Sequence, residues 1–261
     1  MISTIKRYIP QRYAPAALNL YNSALNLFYF PYYLGHQVYC PWCNCHFRRF
    51  VPYGRTDVPG LHGPTQNGMC PRCHCIDRHR LLWLYFHNRS NIFRDQLKVL
   101  HFAPEAYCQQ KLRNCSNLDY ISADIDSPLA MVKVDITAIP YAENTFDVIL
   151  CSHVLPDIPD DRKAMSELYR VLKPGGWALI LVPFHADQAK TFEDPSIVDP
   201  KERTRLFGHF DHVRAYGRDF IDRLESTGFT VRQERYASEL DPDVVQRYVL
   251  FAEVDMFYCS K

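Results

Sequence analysis

The chain has 261 residues, of which 47% are hydrophobic and 23% charged, and its formal net charge is +1. This balance excludes a disordered or fibrous chain and leaves room for one large domain plus a small appendage. The near-zero charge excludes a global basic field, so any contact with nucleic acid would need a local basic patch. Residues 1–12 lack the apolar core of a secretory signal, and we therefore expect a cytoplasmic, reducing environment.

The first expected element is an apolar helix segment over residues 1–35. Residues 13–47 contain no Asp, Glu, Lys or Arg, and Leu18, Tyr21 and Leu25 follow helical spacing. Interspersed asparagines argue against a membrane-spanning helix. Two roles stay open for this segment, namely packing on the body of the protein or peripheral membrane contact through residues 13–34.

A cysteine-rich module follows, with boundaries expected at residues 36–76. Six of the ten cysteines lie between positions 40 and 75, and a C-P-x-C-x-C pattern occurs twice, 30 residues apart. Two such pairs can place four thiolates around one tetrahedral ion, so the pattern predicts a structural zinc ribbon. The predicted Zn²⁺ ligands are Cys40, Cys43, Cys70 and Cys73.

The remaining cysteines of the module, Cys45 and Cys75, are expected to be spare thiols or to support the ligands. Asn44 and His74 follow the second cysteine of each pair, where a turn with positive φ is expected, and both residue types tolerate that conformation.

Residues 77–97 are predicted to form a linking helix that Asp77 can cap. The triplet Arg78, His79 and Arg80 at its start could grip an anionic group or could form a solvated first turn with salt bridges.

From residue 98 to 261, apolar runs typical of strands alternate with helical patterns. Strands are predicted at 98–102, 119–125, 130–135, 146–152, 177–183, 230–237 and 256–259, and helices at 105–113, 160–172 and 217–227. Within the middle helix, the run Lys173-Pro174-Gly175-Gly176 is expected to end the helix. The alternation predicts an α/β fold with a mostly parallel sheet covered on both faces.

Polar and acidic side chains follow successive predicted strands, where ligands of such sheets bind. Asp124 and Asp126 follow the second strand, and Asp135 follows the third. A carboxylate can accept hydrogen bonds from both ribose hydroxyls, while Ile125 and Ile136 can face a base. The pattern indicates a nucleoside-containing cofactor.

This part of the chain resembles the class I S-adenosylmethionine-dependent methyltransferases, in the group that includes menaquinone- and ubiquinone-pathway enzymes. The resemblance rests on three runs: D-I-T-A-I-P at 135–140, N-T-F-D-V-I at 144–149 and E-L-Y-R-V-L-K-P-G-G at 167–176. It implies a Rossmann-like seven-stranded sheet, mostly parallel with an antiparallel last strand, and S-adenosyl-L-methionine as cofactor.

The resemblance also implies which residues contact the cofactor. Relatives carry a glycine-rich loop after the first strand, whereas this chain has Ala103-Pro104-Glu105, with Glu105 placed to meet the cofactor's ammonium. The full predicted set comprises His101, Ala103, Pro104, Glu105, Asp124, Ile125, Asp135, Ile136, Cys151 and Ser152.

After the fourth strand, relatives commonly read His-Val-Leu-Glu-His-Ile, but this chain reads His153-Val154-Leu155-Pro156-Asp157-Ile158. Pro156 removes an amide donor and Asp157 replaces an imidazole by a carboxylate. Either the methyl acceptor differs from that of the relatives or catalysis is lost.

A polar run at 207–217 is expected to lie on the acceptor side, above the sheet. We predict that His209 or His212 is a general base and that Arg214 fixes the acceptor, while the alternative is a salt-bridged loop that orders the fold. The predicted catalytic set is His153, Asp157, His209, His212 and Arg214.

The sequence thus predicts an S-adenosylmethionine-dependent methyltransferase with a structural zinc module. A small molecule or a lipid or glycan intermediate is favoured as acceptor over nucleic acid, because no basic stripe accompanies the ribbon. The alternatives are a non-catalytic binding protein with a methyltransferase fold and an RNA methyltransferase whose zinc ribbon recognises RNA.

Overall fold

The computed structural model describes residues 31–53, 65–251 and 253–261. Most of the expected apolar segment at 1–35, and of the expected membrane contact at 13–34, falls outside these residues. Among the helices described, none combines the length and the apolar character needed to cross a bilayer.

The cysteine module consists of two antiparallel strand pairs. Strand β1 (Leu34–Cys40) pairs with β2 (Cys45–Phe47), and β3 (Val51–Tyr53) pairs with β4 (Thr65–Met69). The expected positive φ after each C-x-x-C pair is confirmed, at 52° for Asn44 and 62° for His74.

The body of the protein is a seven-stranded sheet flanked by helices. Its strands are β5 (Leu97–Phe102), β6 (Leu118–Asp124), β7 (Val132–Lys133), β8 (Phe146–Ser152), β9 (Leu172–Leu181), β12 (Thr230–Glu234) and β13 (Met256–Ser260), and a separate short pair comprises β10 (Phe192–Glu193) and β11 (Arg214–Ala215). The helices are α1 (Asp77–Asn88), α2 (Ala106–Arg113), α3 (Asp161–Val171), α4 (Pro200–Phe207), α5 (Phe220–Glu225) and α6 (Pro242–Tyr248).

The strand order is β12-β13-β9-β8-β5-β6-β7. Strands β5 to β9 pair in parallel, while the last strand, β13, is antiparallel to both of its neighbours. This confirms the predicted fold. The strand order reverses between β5 and β8, which is where open α/β sheets bind their ligands.

Helix α3 confirms the predicted apolar face, because Ala164, Met165 and Leu168 are fully buried. Its predicted end at residue 172 lies one residue beyond the observed end. The helix stops at Val171, and the run at 173–176 lies within β9, where Leu172 already pairs with the start of β8. Gly175 adopts a positive φ of 77° in that run.

The cysteine module shares a hydrophobic core with the sheet. Phe47 and Phe50 of the module lie in one continuous cluster with Tyr85 of α1 and with Val99 and Leu150 of the sheet. The module is therefore packed on the body and has no separate core of its own.

Arg80 reinforces this junction although its side chain is fully buried. Its guanidinium donates hydrogen bonds to four backbone carbonyl groups: Cys75 at 3.1 Å, Gly68 at 3.1 Å, Tyr248 at 2.5 Å and Val249 at 2.9 Å. Backbone carbonyls of the module, at Gly68 and Cys75, and of the end of α6, at Tyr248 and Val249, thus stabilise the buried guanidinium charge together.

Candidate functional site

The candidate site lies at the carboxyl ends of β5, β6 and β8. Phe102 of β5 is level with Ala123 of β6 and Cys151 of β8, so the residues that follow each strand meet at one edge. The next residue, Ala103, has a left-handed φ of 48°, and its N–H donates to the Ala123 carbonyl at 3.0 Å. Left-handed backbone is strained for alanine and natural for glycine.

Glu105 faces protein groups at this edge. Its Oε1 lies 3.0 Å from Nε2 of His79 and its Oε2 lies 3.8 Å from Nε2 of His101. Burial alone would raise the pKa of Glu105, but the contacts with His79 and His101 lower it to about 2. A cofactor ammonium that contacts Glu105, as the sequence predicts, would therefore share the carboxylate with His79. The sequence did not place His79 in the site.

His79 connects this edge to the cysteine module. Its Nδ1 accepts a hydrogen bond from the Ile76 N–H at 3.2 Å, which leaves the ring hydrogen on Nε2, on the side of Glu105. Its carbonyl accepts from Nε1 of Trp42 at 2.6 Å, and the Tyr107 ring lies against both Trp42 and His79. Trp42 belongs to the C-P-W-C motif, but nothing in the sequence predicts its contact with His79.

His101 lies beneath the edge and is almost fully buried. Its Nδ1 forms a 2.8 Å hydrogen bond with the Tyr120 hydroxyl. Burial lowers the pKa of His101 to about 4, so its ring is neutral at physiological pH. The structure gives this predicted cofactor ligand a supporting position behind Glu105.

The two predicted acidic residues each hold a turn and keep one free oxygen. Oδ1 of Asp124 accepts from the N–H groups of Asp126 and Ser127, each at 2.8 Å. Oδ1 of Asp135 accepts from the N–H and hydroxyl of Thr137, which lowers the pKa of Asp135. Within the described residues, neither Oδ2 has a hydrogen-bond partner, so both can accept from a ligand.

The apolar residues next to them differ in exposure. Ile125 is 51% exposed and can cover a ring, whereas Ile136 is buried in the core with only 4% exposed. Pro104, which precedes α2, is buried as well.

A crevice of about 210 Å³ opens at the ends of β8 and β9. Arg78 and His153 line it together with Leu181, Val182, Pro183, Phe184 and the segment 253–255. Arg78 has a buried Nε, and Ser152, which precedes His153 in the chain, has a buried hydroxyl. Neither atom has a hydrogen-bond partner in the described parts of the chain. Such atoms need a water or a ligand.

Of two predicted site residues at this edge, Cys151 is deeply buried and His153 is partly buried. Cys151 is 1% exposed, and burial raises its pKa to about 12, so it is a neutral thiol. His153 has a left-handed φ of 55°, and burial lowers its pKa well below the ordinary value. A neutral His153 can accept a proton only weakly.

The structure brings together three of the predicted acceptor-side residues. One ligand atom each of Asp157, His209 and His212 lies within 4.8 Å of the other two. Nε2 of His212 is 3.8 Å from Oδ1 of Asp157. Burial raises the pKa of Asp157 to about 6 and lowers that of His212.

Arg214 does not reach this group. It is 4% exposed, and its guanidinium donates to Oε2 of Glu193 at 2.8 Å and to the carbonyls of Leu155, Ile158 and Pro159. Its donors are occupied inside the protein. We therefore revise the prediction that Arg214 fixes an acceptor, because these contacts give it the alternative role of ordering the loop.

The cysteine module gathers its thiols at one point. Sγ of Cys40 lies 3.5 Å from that of Cys73 and 3.2 Å from that of Cys75, and Sγ of Cys43 lies 3.7 Å from that of Cys70. Four of them, Cys40, Cys70, Cys73 and Cys75, lie within 4.8 Å of one another. The sequence predicted that Cys75 is a spare thiol or a residue that supports the ligands, whereas the structure puts it inside the group.

The sixth cysteine of the module stands apart. Sγ of Cys45 lies 2.5 Å from Nη1 of Arg72, and it also contacts the Cys43 carbonyl at 3.3 Å. Cys45 therefore contacts the Arg72 guanidinium and does not belong to the group of four thiols.

A protein-family model described as a methyltransferase domain matches residues 97–180, the segment from β5 to near the end of β9. The match covers the strands that carry the candidate site. It leaves out the cysteine module and the loop that holds His209 and His212.

Curated relatives are similar over parts of the chain. A ubiquinone/menaquinone biosynthesis C-methyltransferase of Klebsiella pneumoniae is 40% identical over 76 residues, which cover 28% of this chain and 26% of the relative. The enzyme of the same name from Pasteurella multocida is 31% identical over 121 residues, or 45% of this chain and 37% of the relative. The chain thus spans well under half the length of these relatives.

Solved structures with a similar arrangement include two S-adenosylmethionine-dependent methyltransferases. That from Archaeoglobus fulgidus is 15% identical, with a TM-score of 0.45, covering 69% of this chain and 93% of the other. That from Aquifex aeolicus is 16% identical, with a TM-score of 0.42, covering 70% and 87%.

Proposed function

We propose that the protein is an S-adenosyl-L-methionine-dependent methyltransferase. The main support is the match of residues 97–180 to a methyltransferase domain, together with a strand order that places two carboxylates at the cofactor edge. The names of the curated relatives, which are methyltransferases, point to the same chemistry.

Asp124 and Asp135 are the proposed anchors of the nucleoside. With Oδ1 committed to its turn, Oδ2 of Asp124 is oriented to accept from ribose hydroxyls, and the exposed Ile125 beside it can cover the base. The backbone at Ala103 would lie against the methionine portion, because alanine permits a close approach.

The bound cofactor would supply an activated methyl group. The protein has to hold the acceptor in line with it, and alignment alone can account for much of the rate. The crevice lined by Arg78 and His153, with the unpaired Ser152 hydroxyl, is the proposed acceptor position. The relatives' names specify C-methylation in quinone biosynthesis, while the acceptor proposed here is a small molecule or a lipid or glycan intermediate.

We further propose that the cysteine module holds one structural Zn²⁺. Thiolates about 2.3 Å from a tetrahedral zinc lie roughly 3.8 Å from one another, and the observed sulfur separations of 3.5 and 3.7 Å are close to that value. The donor set fits zinc because thiolate ligands select it over harder cations. The ion would stabilise a module whose strands are only three to seven residues long.

Isothermal titration of the zinc-loaded protein with S-adenosylmethionine tests the proposal. We expect binding in the micromolar range, weakened at least tenfold in Asp124→Asn, which keeps the turn but loses the charge. Asp187→Asn, which removes the charge of an exposed carboxylate outside the proposed set, is the matched control and should bind normally. Absent binding at millimolar concentration would favour the non-catalytic alternative.

A further inference from the structure

Asp157, His209 and His212 come from two segments that the structure ties together. Helix α4 ends at Gly208, whose φ of 87° turns the chain into the histidine loop. The Val213 N–H at the far end of that loop donates to the Pro156 carbonyl at 2.9 Å, next to Asp157. The three side chains therefore meet because of backbone constraints.

The tautomer of His212 follows from its hydrogen bond. Nδ1 lies 2.8 Å from the Phe207 carbonyl, which can only accept, so Nδ1 carries the ring hydrogen. In the neutral ring, Nε2 then presents a lone pair toward Asp157. A backbone carbonyl that fixes a histidine in this way is the usual arrangement for metal-ligating histidines.

Asp157 presents the second lone pair. Its side chain is 40% exposed overall, yet Oδ1 is buried and has no hydrogen-bond partner within the described residues. The 3.8 Å between Oδ1 and Nε2 of His212 is too long for a hydrogen bond. Two acceptor atoms that face each other at this distance attract only when a proton or a cation lies between them.

We propose that Asp157, His209 and His212 bind one divalent transition-metal ion. Two imidazoles and a carboxylate are a donor set that suits Mn²⁺, Fe²⁺ and Zn²⁺. Ligands about 2.1 Å from a metal lie roughly 3 to 3.5 Å apart, so a spacing of up to 4.8 Å must close by more than about 1 Å. The side chain of His209 is 43% exposed, and its Nδ1 accepts a long hydrogen bond of 3.4 Å from the Asp211 N–H, which would give way as the ring turns toward the metal.

Three protein ligands leave coordination positions open to a further oxygen donor. If the proposed methyl transfer holds, on which this step rests, a metal-bound acceptor hydroxyl would release its proton to solvent more readily. Its oxygen would then bond to the methyl carbon as the carbon–sulfur bond breaks, and S-adenosylhomocysteine would leave. The acceptor class would then be a hydroxyl compound. The metal would also give a role to Asp157, where the sequence departs from its relatives.

Manganese binding to the zinc-loaded protein tests the site apart from any activity. Free Mn²⁺ is measured by electron paramagnetic resonance. The cysteine module should not compete for Mn²⁺, because thiolates bind zinc in preference to manganese. We expect one Mn²⁺ per chain with submillimolar affinity. We expect a more than about tenfold weaker affinity for Mn²⁺ in each of Asp157→Asn, His209→Ala and His212→Ala. Mutation of residues that only hydrogen-bond to a metal ligand already lowers metal affinity about tenfold.

Asp187→Asn serves as a control and should bind like the wild-type protein. Absence of Mn²⁺ binding below millimolar concentration, or unchanged binding in all three variants, would overturn the proposal. If Asp157→Asn or His212→Ala fails to fold, His209→Ala still decides, because its side chain lies partly in solvent. Failure of S-adenosylmethionine binding in the separate titration would remove only the methyl-transfer step.

Discussion

Nε2 of His79 lies 3.0 Å from Oε1 of Glu105, and this pair joins the helix that follows the cysteine module to the loop after the first sheet strand. The Trp42 indole holds the His79 carbonyl from the module side. The proposed metal site in the module and the proposed cofactor site at the strand edge are therefore joined through one residue, His79.

Replacement of His79 should affect both stability and cofactor binding. His79→Ala leaves the Ile76 N–H without a partner and leaves Glu105 only the longer contact with His101, and we expect a loss of about 1 to 3 kcal/mol in the free energy of unfolding. S-adenosylmethionine should bind several-fold more weakly. His87→Ala, on the exposed face of the same helix, should change stability by less than about 1 kcal/mol. Equal effects of the two variants in urea unfolding would contradict this role.

Glu105 should make stability depend on pH in the acid range. Its pKa is about 2 in the folded protein against an ordinary value of 4.5. Between these values the unfolded state binds more protons, so the contribution is present above pH 4.5 and is lost as the pH falls toward 2. At one pKa unit per 1.36 kcal/mol, the contribution is about 3 kcal/mol at most.

Urea unfolding of wild-type protein and Glu105→Gln at several pH values measures this contribution. Acid would release the proposed zinc from both proteins alike, so the comparison isolates the carboxylate. The stability difference should shrink as the pH falls from 7 to 3. A difference that stays constant over this range would mean that Glu105 has an ordinary pKa.

Ala103 tests the unusual loop directly. Ala103→Gly should change stability by less than about 1 kcal/mol, because relief of left-handed strain is offset by greater freedom of the unfolded chain. Ala103→Val should cost about 2 kcal/mol or more, since a branched side chain tolerates positive φ poorly. Ala106→Val, exposed at the start of α2, is the control and should cost well under 1 kcal/mol. Thermal denaturation of the three variants gives the order.

Zinc content identifies the ligands of the module. Elemental analysis should find one Zn²⁺ in the wild-type protein and in Cys45→Ser, because Cys45 contacts Arg72 instead. Cys40→Ser and Cys70→Ser should lose it. If the predicted ligands are correct, Cys43→Ser should also lose zinc and Cys75→Ser should retain it. The opposite pair of results would mean that Cys75, and not Cys43, is the fourth ligand.

Arg80 should be among the most sensitive positions in the protein. Arg80→Met keeps the length of the side chain but removes the donor that four carbonyls share, of which the Cys75 carbonyl keeps the Cys70 N–H, and we expect a loss of at least about 3 kcal/mol. Lysine cannot replace the forked guanidinium, so Arg80→Lys should recover only part of this. Arg113→Ala, exposed on α2, should stay within about 0.5 kcal/mol in chemical denaturation.

Much of the sheet could be predicted from sequence because its strands are short apolar runs at regular intervals. Strand β8 agrees with the prediction residue for residue, and β5 differs by one residue at its start. Helices α4 and α6 went unpredicted, since they have seven or eight residues and little apolar periodicity. Local patterns reveal elements that bury a face and miss elements that do not.

The site was harder to predict where it depends on distant partners. The turn-forming role of Asp124 follows from its local sequence, but the pairing of Glu105 with His79 joins positions 26 residues apart. Arg214 looked like a binding residue because its charge lies in a polar run, and only the structure shows Glu193 and three carbonyls around it.

The shared core of the cysteine module and the sheet has a practical consequence for dissecting the protein. A fragment that starts at residue 98 would lack Phe47, Phe50 and Tyr85, which share one apolar cluster with Val99 and Leu150. Such a fragment should aggregate on expression. Recombinant work on the sheet should therefore retain the chain from at least Leu34 onward.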